Sequence, residues 1–219
     1  MPVSKAWEWS REPSAVWLTP SEESHALSHR WKERGFETLL DLGCGLGRHA
    51  VFFAKKGFRV SAFDLSEEGT GHLREWAAGE GLDIAVRTAD MLHMPYPDGA
   101  FDCVWAYHVV SHTDTAGLKT VLSEIRRVLR PGGEVFMSLC SKDTWSFREA
   151  GYPRLDPYTA VKTGGGPEDG VPHVYVDLDD RPGLFAEFSL LRVRHTDDCW
   201  FDGHKQNSKH YFILAGDPI

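Results

Sequence analysis

Leu39-Leu40-Asp41-Leu42-Gly43-Cys44-Gly45-Leu46-Gly47 is the stretch on which the fold turns. The apolar run Thr38-Leu39-Leu40-Asp41-Leu42 reads as a buried strand and leads straight into three glycines spaced GxGxG. A helix is expected next, with Leu46, Ala50, Phe53 and Ala54 on one face, Lys55 and Lys56 in its last turn and Gly57 as its stop. A strand, a glycine turn and a helix N-terminus together let backbone approach a ligand closely and favour negative charge there. Phe58 to Phe63 reads as a second strand, closing on Asp64, 64 − 47 = 17 residues past the last glycine. A carboxylate at that strand end can accept hydrogen bonds from both hydroxyls of a ribose. The competing role for Asp64 is a helix cap, which Ser66 fills equally well.

Outward from this unit, strands and helices alternate. A helix is expected from Ser21 to Gly35, another from Glu67 to Ala78, and strands at Ile84 to Arg87 and Phe101 to Tyr107. Leu118, Val121, Leu122, Ile125 and Leu129 form one face of a further helix, stopped by Pro131-Gly132-Gly133 before a strand at Glu134 to Leu139. Such alternation implies a parallel sheet covered on both faces. Ser141 to Pro172, 172 − 141 + 1 = 32 residues rich in Gly, Pro and Asp, breaks the pattern and is expected as a long loop covering a site. Asp179 to Phe185 can form a short helix. Ser189 to His195 and Lys209 to Ala215 read as strands joined by a polar loop, an antiparallel pair at the sheet edge. The expected architecture is a single α/β domain over residues 1–219. It has three layers, Rossmann-like, around a seven-strand, mostly parallel sheet with an antiparallel edge strand. Residues 1–36 form an N-terminal cover segment and helix, and 141–172 an insertion over the site.

Composition narrows the function. The 219 residues carry 24 Lys and Arg against 32 Asp and Glu, a net charge of −8, which argues against nucleic acid as a partner. No apolar run approaches the ~20 residues of a membrane span, and Met1-Pro2-Val3-Ser4-Lys5 lacks the apolar stretch of a signal peptide. Cys44, Cys103, Cys140 and Cys199 are far apart, with no CxxC pair, so a reducing cytoplasm is expected and neither a disulfide framework nor a zinc site.

Five pieces in order now carry a resemblance: Leu40-Asp41-Leu42-Gly43-Cys44-Gly45-Leu46-Gly47, Ala62-Phe63-Asp64-Leu65-Ser66, Ala89-Asp90-Met91, Phe101-Asp102-Cys103-Val104 and Leu129-Arg130-Pro131-Gly132-Gly133. The chain resembles the class I S-adenosylmethionine-dependent methyltransferases, in their small-molecule "type 11" branch. The resemblance spans Leu39 to Leu139 and, less closely, the final strand pair. It implies S-adenosyl-L-methionine as cofactor. Gly43, Gly45 and Gly47 would line its methionine part, and Asp41 would orient its ammonium group. Asp64 would hold the ribose and Leu65 pack on the adenine. Asp90 would accept from the adenine amine beside the Met91 backbone, and the Tyr107 carbonyl would lie near the ammonium. Arg48 would pair with the cofactor carboxylate or stand as an exposed helix arginine. Two alternatives remain: a cofactor-binding domain without catalysis, and a nicotinamide-dependent oxidoreductase, whose GxGxxG spacing differs from the GxGxG here.

On the acceptor side, transfer from a sulfonium needs alignment above all, and a base where the acceptor is a hydroxyl. Tyr107-His108-Val109-Val110-Ser111-His112-Thr113-Asp114 follows the fourth strand, so His108 and His112 are the candidate catalytic bases, since histidine titrates near neutrality. Their alternatives are packing or a helix cap near Asp114. A metal held by these histidines with His173 or Asp177 is not expected, because the spacing is not diagnostic. Trp7, Trp9 and Trp17, with Trp145, Tyr152, Tyr158 and His173 in the insertion, either wall an acceptor pocket or anchor their segments; the same applies to Trp200 and His204. The chain lacks an Asn/Asp-Pro-Pro-aromatic motif and a Pro-Cys nucleophile, so DNA bases are not expected acceptors. A small organic molecule, methylated on oxygen or nitrogen, is.

Overall fold

The structure is a computed structural model that describes residues 2–11, 14–201 and 205–216. His204 and the Trp200 side chain lie outside the described parts. In chain order the elements are α1 (Glu22–Glu33), β1 (Thr38–Leu42), α2 (Arg48–Lys55), β2 (Arg59–Asp64), α3 (Glu67–Gly79), β3 (Ile84–Thr88), β4 (Phe101–Ala106), α4 (Thr115–Val128) and β5 (Leu129–Ser141). There follow α5 (Trp145–Arg148), β6 (Arg154–Asp156), β7 (Thr159–Val161), β8 (Pro172–Val176), α6 (Arg181–Leu184), β9 (Ser189–Phe201) and β10 (Lys205–Gly216).

The sheet has ten strands rather than the seven expected: seven run β3-β2-β1-β4-β5-β10-β9, and β8, β7 and β6 continue from β5 on a second branch. β1 to β5 are parallel, β10 is antiparallel to β5, and β9 is antiparallel to β10. The chain therefore builds outward from β1 to the β3 edge, then crosses back to lay β4 on the other side of β1. Ligand crevices form at such a reversal, beyond the carboxyl ends of the strands. The glycine turn that follows β1 is at this point.

Side chains alternate between the two faces of each strand. Leu40, Leu42, Val104, Val135 and Met137 pack with Leu118, Val121, Leu122 and Ile125 of α4. Leu39, Cys103, Trp105 and Phe136 pack on the opposite face with Leu27 and Trp31 of α1, Phe53 of α2 and Leu73 of α3. Because both faces are covered, β4 is buried at every position, which is why it reads as an apolar run interrupted only by Asp102.

Two buried carboxylates fix the layers. Asp102, at the start of β4, accepts from the backbone of Glu37 and Thr38 and pairs with Arg130, tying the α1–β1 connection to the start of β5. Glu134 of β5, fully buried, accepts from Trp31 Nε1 at 2.8 Å and from Arg30 at 2.6 and 3.0 Å, and also from Arg34. Burial alone would raise its pKa; the hydrogen bonds from Arg30 and Trp31 and the arginine charges hold it below the usual carboxylate range.

The part beyond β5 differs from expectation. Residues 141–172 are not a bare loop: they contain α5 and the β6-β7 hairpin, which leads antiparallel into β8. Cys140 pairs with both His210 of β10 and Tyr175 of β8. The two partners must sit on opposite edges of β5, so β8 takes up the β4 side where β4 has ended. Most of the polar loop expected between the last two strands is instead strand: residues 196–201 and 205–208 extend β9 and β10, which pair from Ser189–Gly216 out to Phe201–Lys205. Among the described residues no helix is long and apolar enough to cross a membrane.

Glu134→Gln should lower unfolding stability by about 2 kcal/mol, the scale of losing hydrogen bonds to a charged group. Arg30→Ala should cost under about 1 kcal/mol, because its guanidinium is half-exposed. Urea titrations of the two variants check the order.

Candidate active site

The turn after β1 is shaped by its own backbone and by Asp64. Gly43 and Cys44 donate their N–H groups to the Phe63 carbonyl at 2.9 and 3.0 Å, so the turn hangs on the end of β2. Asp64 accepts from Gly45 N–H at 2.9 Å and from Ser66 N–H at 2.8 Å. Ser66, not Asp64, caps α3, through Gly69 N–H. Gly43 and Gly45 both have positive φ, 68° and 52°. A Cβ at Gly43 would run into the Val109 side chain, and one at Gly45 would lie 2.5 Å from the Trp9 indole. Behind the turn Asp41 is 2% exposed, its Oδ2 has no partner, and burial pushes its carboxyl up to about 7.

A cavity opens in front of this turn. Gly43, Gly45, Arg48, Asp64, Leu65, Asp90, Met91, Tyr107, His108 and His112 all line it, so ten of the residues singled out in the sequence come together. Asp41 and Gly47 stand behind the wall. Gly47 lies at the N-terminus of α2 with φ 97°, and its Cβ position is taken by Leu73. Leu65 is 37% exposed, an apolar side chain left uncovered inside a cavity. Asp90 Oδ1 accepts from Leu92 N–H at 2.9 Å, and its other oxygen accepts from Ser4. Arg48 spends its Nη1 on the carbonyls of Val16, at 2.8 Å, and Thr19, at 3.2 Å, and its guanidinium lies over Trp17 and Tyr107. It is thus neither exposed nor free in this structure.

A second cavity adjoins the first and shares Trp7, Trp17, His108 and His112 with it. Its further polar lining includes Ser111, Ser138, Cys140, Lys162, Glu168, His173 and His210. His108 has a left-handed backbone (φ 54°), rare for a residue with a Cβ. Its N–H donates to Ser138 Oγ at 2.6 Å, and the same oxygen lies 3.2 Å from its Nδ1. Burial, helped by His210 and Arg48, drives the His108 pKa well below 6.5. Burial and His173 do the same to His112, and burial lowers His210 to about 4. The expectation of histidines titrating near neutrality is corrected accordingly: these imidazoles are neutral at pH 7.

The N-terminal segment crosses both cavities. Trp7 stacks on His112 with ring centres 5.8 Å apart, Trp9 sits on Gly45, and Trp17 packs edge-on against both indoles. Thr113 pairs with Ser4 as an isolated bridge and donates to the Val3 carbonyl at 2.8 Å. From the insertion, Lys162, Pro167 and Glu168 reach the second cavity, joined by His173 of β8. Trp145, Tyr152 and Tyr158 line neither cavity: Trp145 packs on Tyr152, and Tyr158 is exposed beside Lys142. Those three aromatics anchor rather than wall. Asp114 caps α4 through Gly117 N–H at 2.7 Å. The sequence reading missed Ser4, Glu168 and His210, which reach the site only through long-range packing.

Residues 39–133 match the family model of a methyltransferase domain. Over this part the chain is similar to the S-adenosylmethionine-dependent methyltransferases. The chain is 36% identical over 107 residues to the ubiquinone biosynthesis O-methyltransferase of Caulobacter vibrioides, covering 48% of this chain and 41% of that protein. It is 33% identical over 153 residues to the glycine/sarcosine/dimethylglycine N-methyltransferase of Actinopolyspora halophila, covering 64% of this chain and 26% of that protein. The curated relatives it matches are spanned over about a quarter to a half of their length. A solved S-adenosylmethionine-dependent methyltransferase from Methanosarcina mazei shares the fold with TM-score 0.70 and 16% identity, over 84% of this chain and 93% of that one. So does the 1,6-didemethyltoxoflavin-N1-methyltransferase of Burkholderia thailandensis, solved with its acceptor and S-adenosylhomocysteine, with TM-score 0.65 and 17% identity over 96% and 81%.

Gly45→Val should unseat the Trp9 indole while the sheet survives. The expected readout is a red shift and easier acrylamide quenching of tryptophan emission, with an unchanged far-ultraviolet circular dichroism spectrum.

Proposed function

We propose that the chain is an S-adenosylmethionine-dependent methyltransferase acting on an oxygen or nitrogen of a small molecule. The observation that carries this reading is the pair of adjoining cavities: one faces the glycine turn, the other is walled by polar and titratable groups, and His108 stands in both. A domain that only held the cofactor would have no use for the second. Two features fit the cofactor. The unpartnered, buried Asp41 Oδ2 suits a ligand ammonium, and the turn keeps open the space that a Cβ at Gly43 or Gly45 would close.

In this reading S-adenosylmethionine supplies an activated methyl group on sulfur. Gly43 and Gly45 give its amino-acid end room, with Gly47 setting the helix start behind them. Asp64 keeps its two N–H partners and offers its remaining acceptor capacity to the ribose. Leu65 and Met91 pack on the adenine, and Asp90 exchanges Ser4 for the adenine amine. The Tyr107 carbonyl and Asp41 hold the ammonium, and Arg48, if released by the arm, the carboxylate. The segment 1–36 and the insertion 141–172 cover the acceptor and exclude water. His108 is the base: its neutral imidazole takes a proton from the attacking group, which turns acidic as it bonds to carbon. A weak base suffices for that step, and Ser138 fixes the ring. His112 faces the insertion and has other partners, described below.

Formation of S-adenosylhomocysteine from a panel of small hydroxy and amino compounds tests the reading; no turnover with any, and no binding of the donor, would remove it. Asp64→Ala should weaken donor binding by about 1–3 kcal/mol, as for loss of a charged hydrogen-bond partner, measured by calorimetry. His108→Ala should lower turnover by about 100-fold or more while leaving donor affinity within a few-fold.

Asp41 gives a pH dependence. Its carboxyl is half-protonated near pH 7 in the free chain, and a bound ammonium favours the ionised form. Binding at pH 7 should therefore release about half a proton, and affinity should rise with pH from 6 to 8. Calorimetry in buffers of different ionisation heat reads the proton count, and Asp41→Asn should abolish it.

A further inference from the structure

We propose that His112, Glu168 and His173 bind a divalent transition-metal ion in the second cavity, leaving coordination positions open toward the acceptor. The metal site stands on its own geometry; its use in holding an acceptor rests on the methyltransferase reading. The three side chains come from two distant pieces of chain, the β4–α4 connection and the end of the insertion. One ligand atom from each lies within 4.8 Å of the other two. Glu168 Oε1 is 3.0 Å from His173 Nε2 and 4.0 Å from His112 Nε2. Ligands bound at 2.0–2.2 Å around a tetrahedral ion stand roughly 3.3 Å apart. One of the three pairs already fits, and the two pairs that include His112, both within 4.8 Å, close with a turn of His112 under Trp7.

The hydrogen bonds of His173 supply a second, independent argument. Its Nδ1 lies 3.0 Å from the Val171 carbonyl and its Nε2 lies 3.0 Å from Glu168 Oε1. Both neighbours are acceptors, yet a neutral imidazole has one N–H. With the proton on Nδ1, a lone pair on Nε2 faces a carboxylate oxygen inside a residue that is 1% exposed. A cation between Nε2 and Oε1 turns that opposition into two bonds. The Nδ1–H donated to a backbone carbonyl is then the outer bond that metal-bound histidines commonly make, which fixes the tautomer and the ring.

Glu168 is prepared in the same way. Lys162 holds its Oε2, so Oε1 alone points to the histidines and the carboxylate would ligate through one oxygen. Two imidazoles and one carboxylate suit zinc, cobalt or ferrous iron, and not calcium or magnesium, which take oxygen ligands. Three protein ligands leave at least one position open, as in catalytic rather than structural sites. That side faces the cavity containing His108 and Cys140. The acceptor this geometry favours has an oxygen or nitrogen able to ligate the ion while its neighbour meets the methyl group.

The test uses the untagged full chain, stripped with chelator and titrated with Co²⁺. One equivalent should bind, with visible d–d absorption that Zn²⁺ abolishes by displacement. Glu168→Gln and His173→Asn should each weaken binding by at least about tenfold, and acetohydroxamate should shift the spectrum of the Co²⁺ form by entering the open position. Absence of saturable Co²⁺ binding, or equal binding by chains carrying both substitutions, overturns the site; an unmoved spectrum with acetohydroxamate overturns the open position. Circular dichroism and S-adenosylhomocysteine affinity of the variants report folding. Separate Co²⁺ and S-adenosylhomocysteine titrations distinguish the two readings: Co²⁺ binding without S-adenosylhomocysteine binding leaves the metal site and removes the methyltransferase, and the reverse result does the opposite.

Discussion

Asp64 is the hinge on which the architecture closes. Its two oxygens are divided between the N–H of Gly45 and the N–H of Ser66. That single carboxylate joins the turn after β1 to the start of α3, at the point where the strand order reverses. Without it the turn would keep its bonds to the Phe63 carbonyl but lose the tie that sets its distance from α3. Gly69 packs against the Gly45 carbonyl so closely that even a Cβ there would sit 2.8 Å from it. Burial raises the Asp64 pKa, while the N–H groups of Ser66, Gly45 and Leu65 oppose the rise. The carboxylate is thereby held in place before any ligand reaches it.

The half of the chain up to β5 was legible because its signals are local. Glycines that need positive φ, a carboxylate ending a strand and apolar runs bounded by caps all act within a few residues of themselves. The helix starting after Ser21 and the one starting after Ser66 appear where those signals put them. The acidic residues Asp102 and Glu134 were less open to reading. Each looks like an ordinary surface charge in sequence, and each is buried because arginines some distance away in the chain come to meet it. Beyond β5 the same limitation grows. Glycines and prolines in 141–172 mark turns, but they do not reveal that β6 and β7 between them join the sheet through β8, which pairs with β5. Glu168 joins the cavity through the β7–β8 hairpin and His210 through the pairing of β10 with β5, so no local pattern could have selected them.

The tryptophans divide by environment rather than by position in the fold. Trp31 and Trp105 are fully buried in a stack with Phe53, Phe136 and Tyr107, which accounts for them as core. Trp7, Trp9 and Trp17 form a separate cluster of three touching indoles resting on the glycine turn and on His112. The indole nitrogens of Trp7 and Trp9 are buried without a partner. A buried donor left unpaired is costly, so the Trp7 and Trp9 indoles hold by ring packing, while the Arg48 guanidinium over Trp17 and its hydrogen bonds to the Val16 and Thr19 carbonyls anchor the backbone beside them.

That arm touches the two cavities at once, through Trp9 and Ser4 on one side and Trp7 on the other. A ligand that shifts it in the first cavity also changes the wall of the second. Occupancy of the two cavities is then thermodynamically linked, and by reciprocity each occupant alters the affinity for the other by the same factor. The free energy needed to rearrange the indoles falls on whichever molecule arrives first. The second finds the wall already moved, so the arm gives the chain a built-in preference for holding both molecules together over holding either one alone.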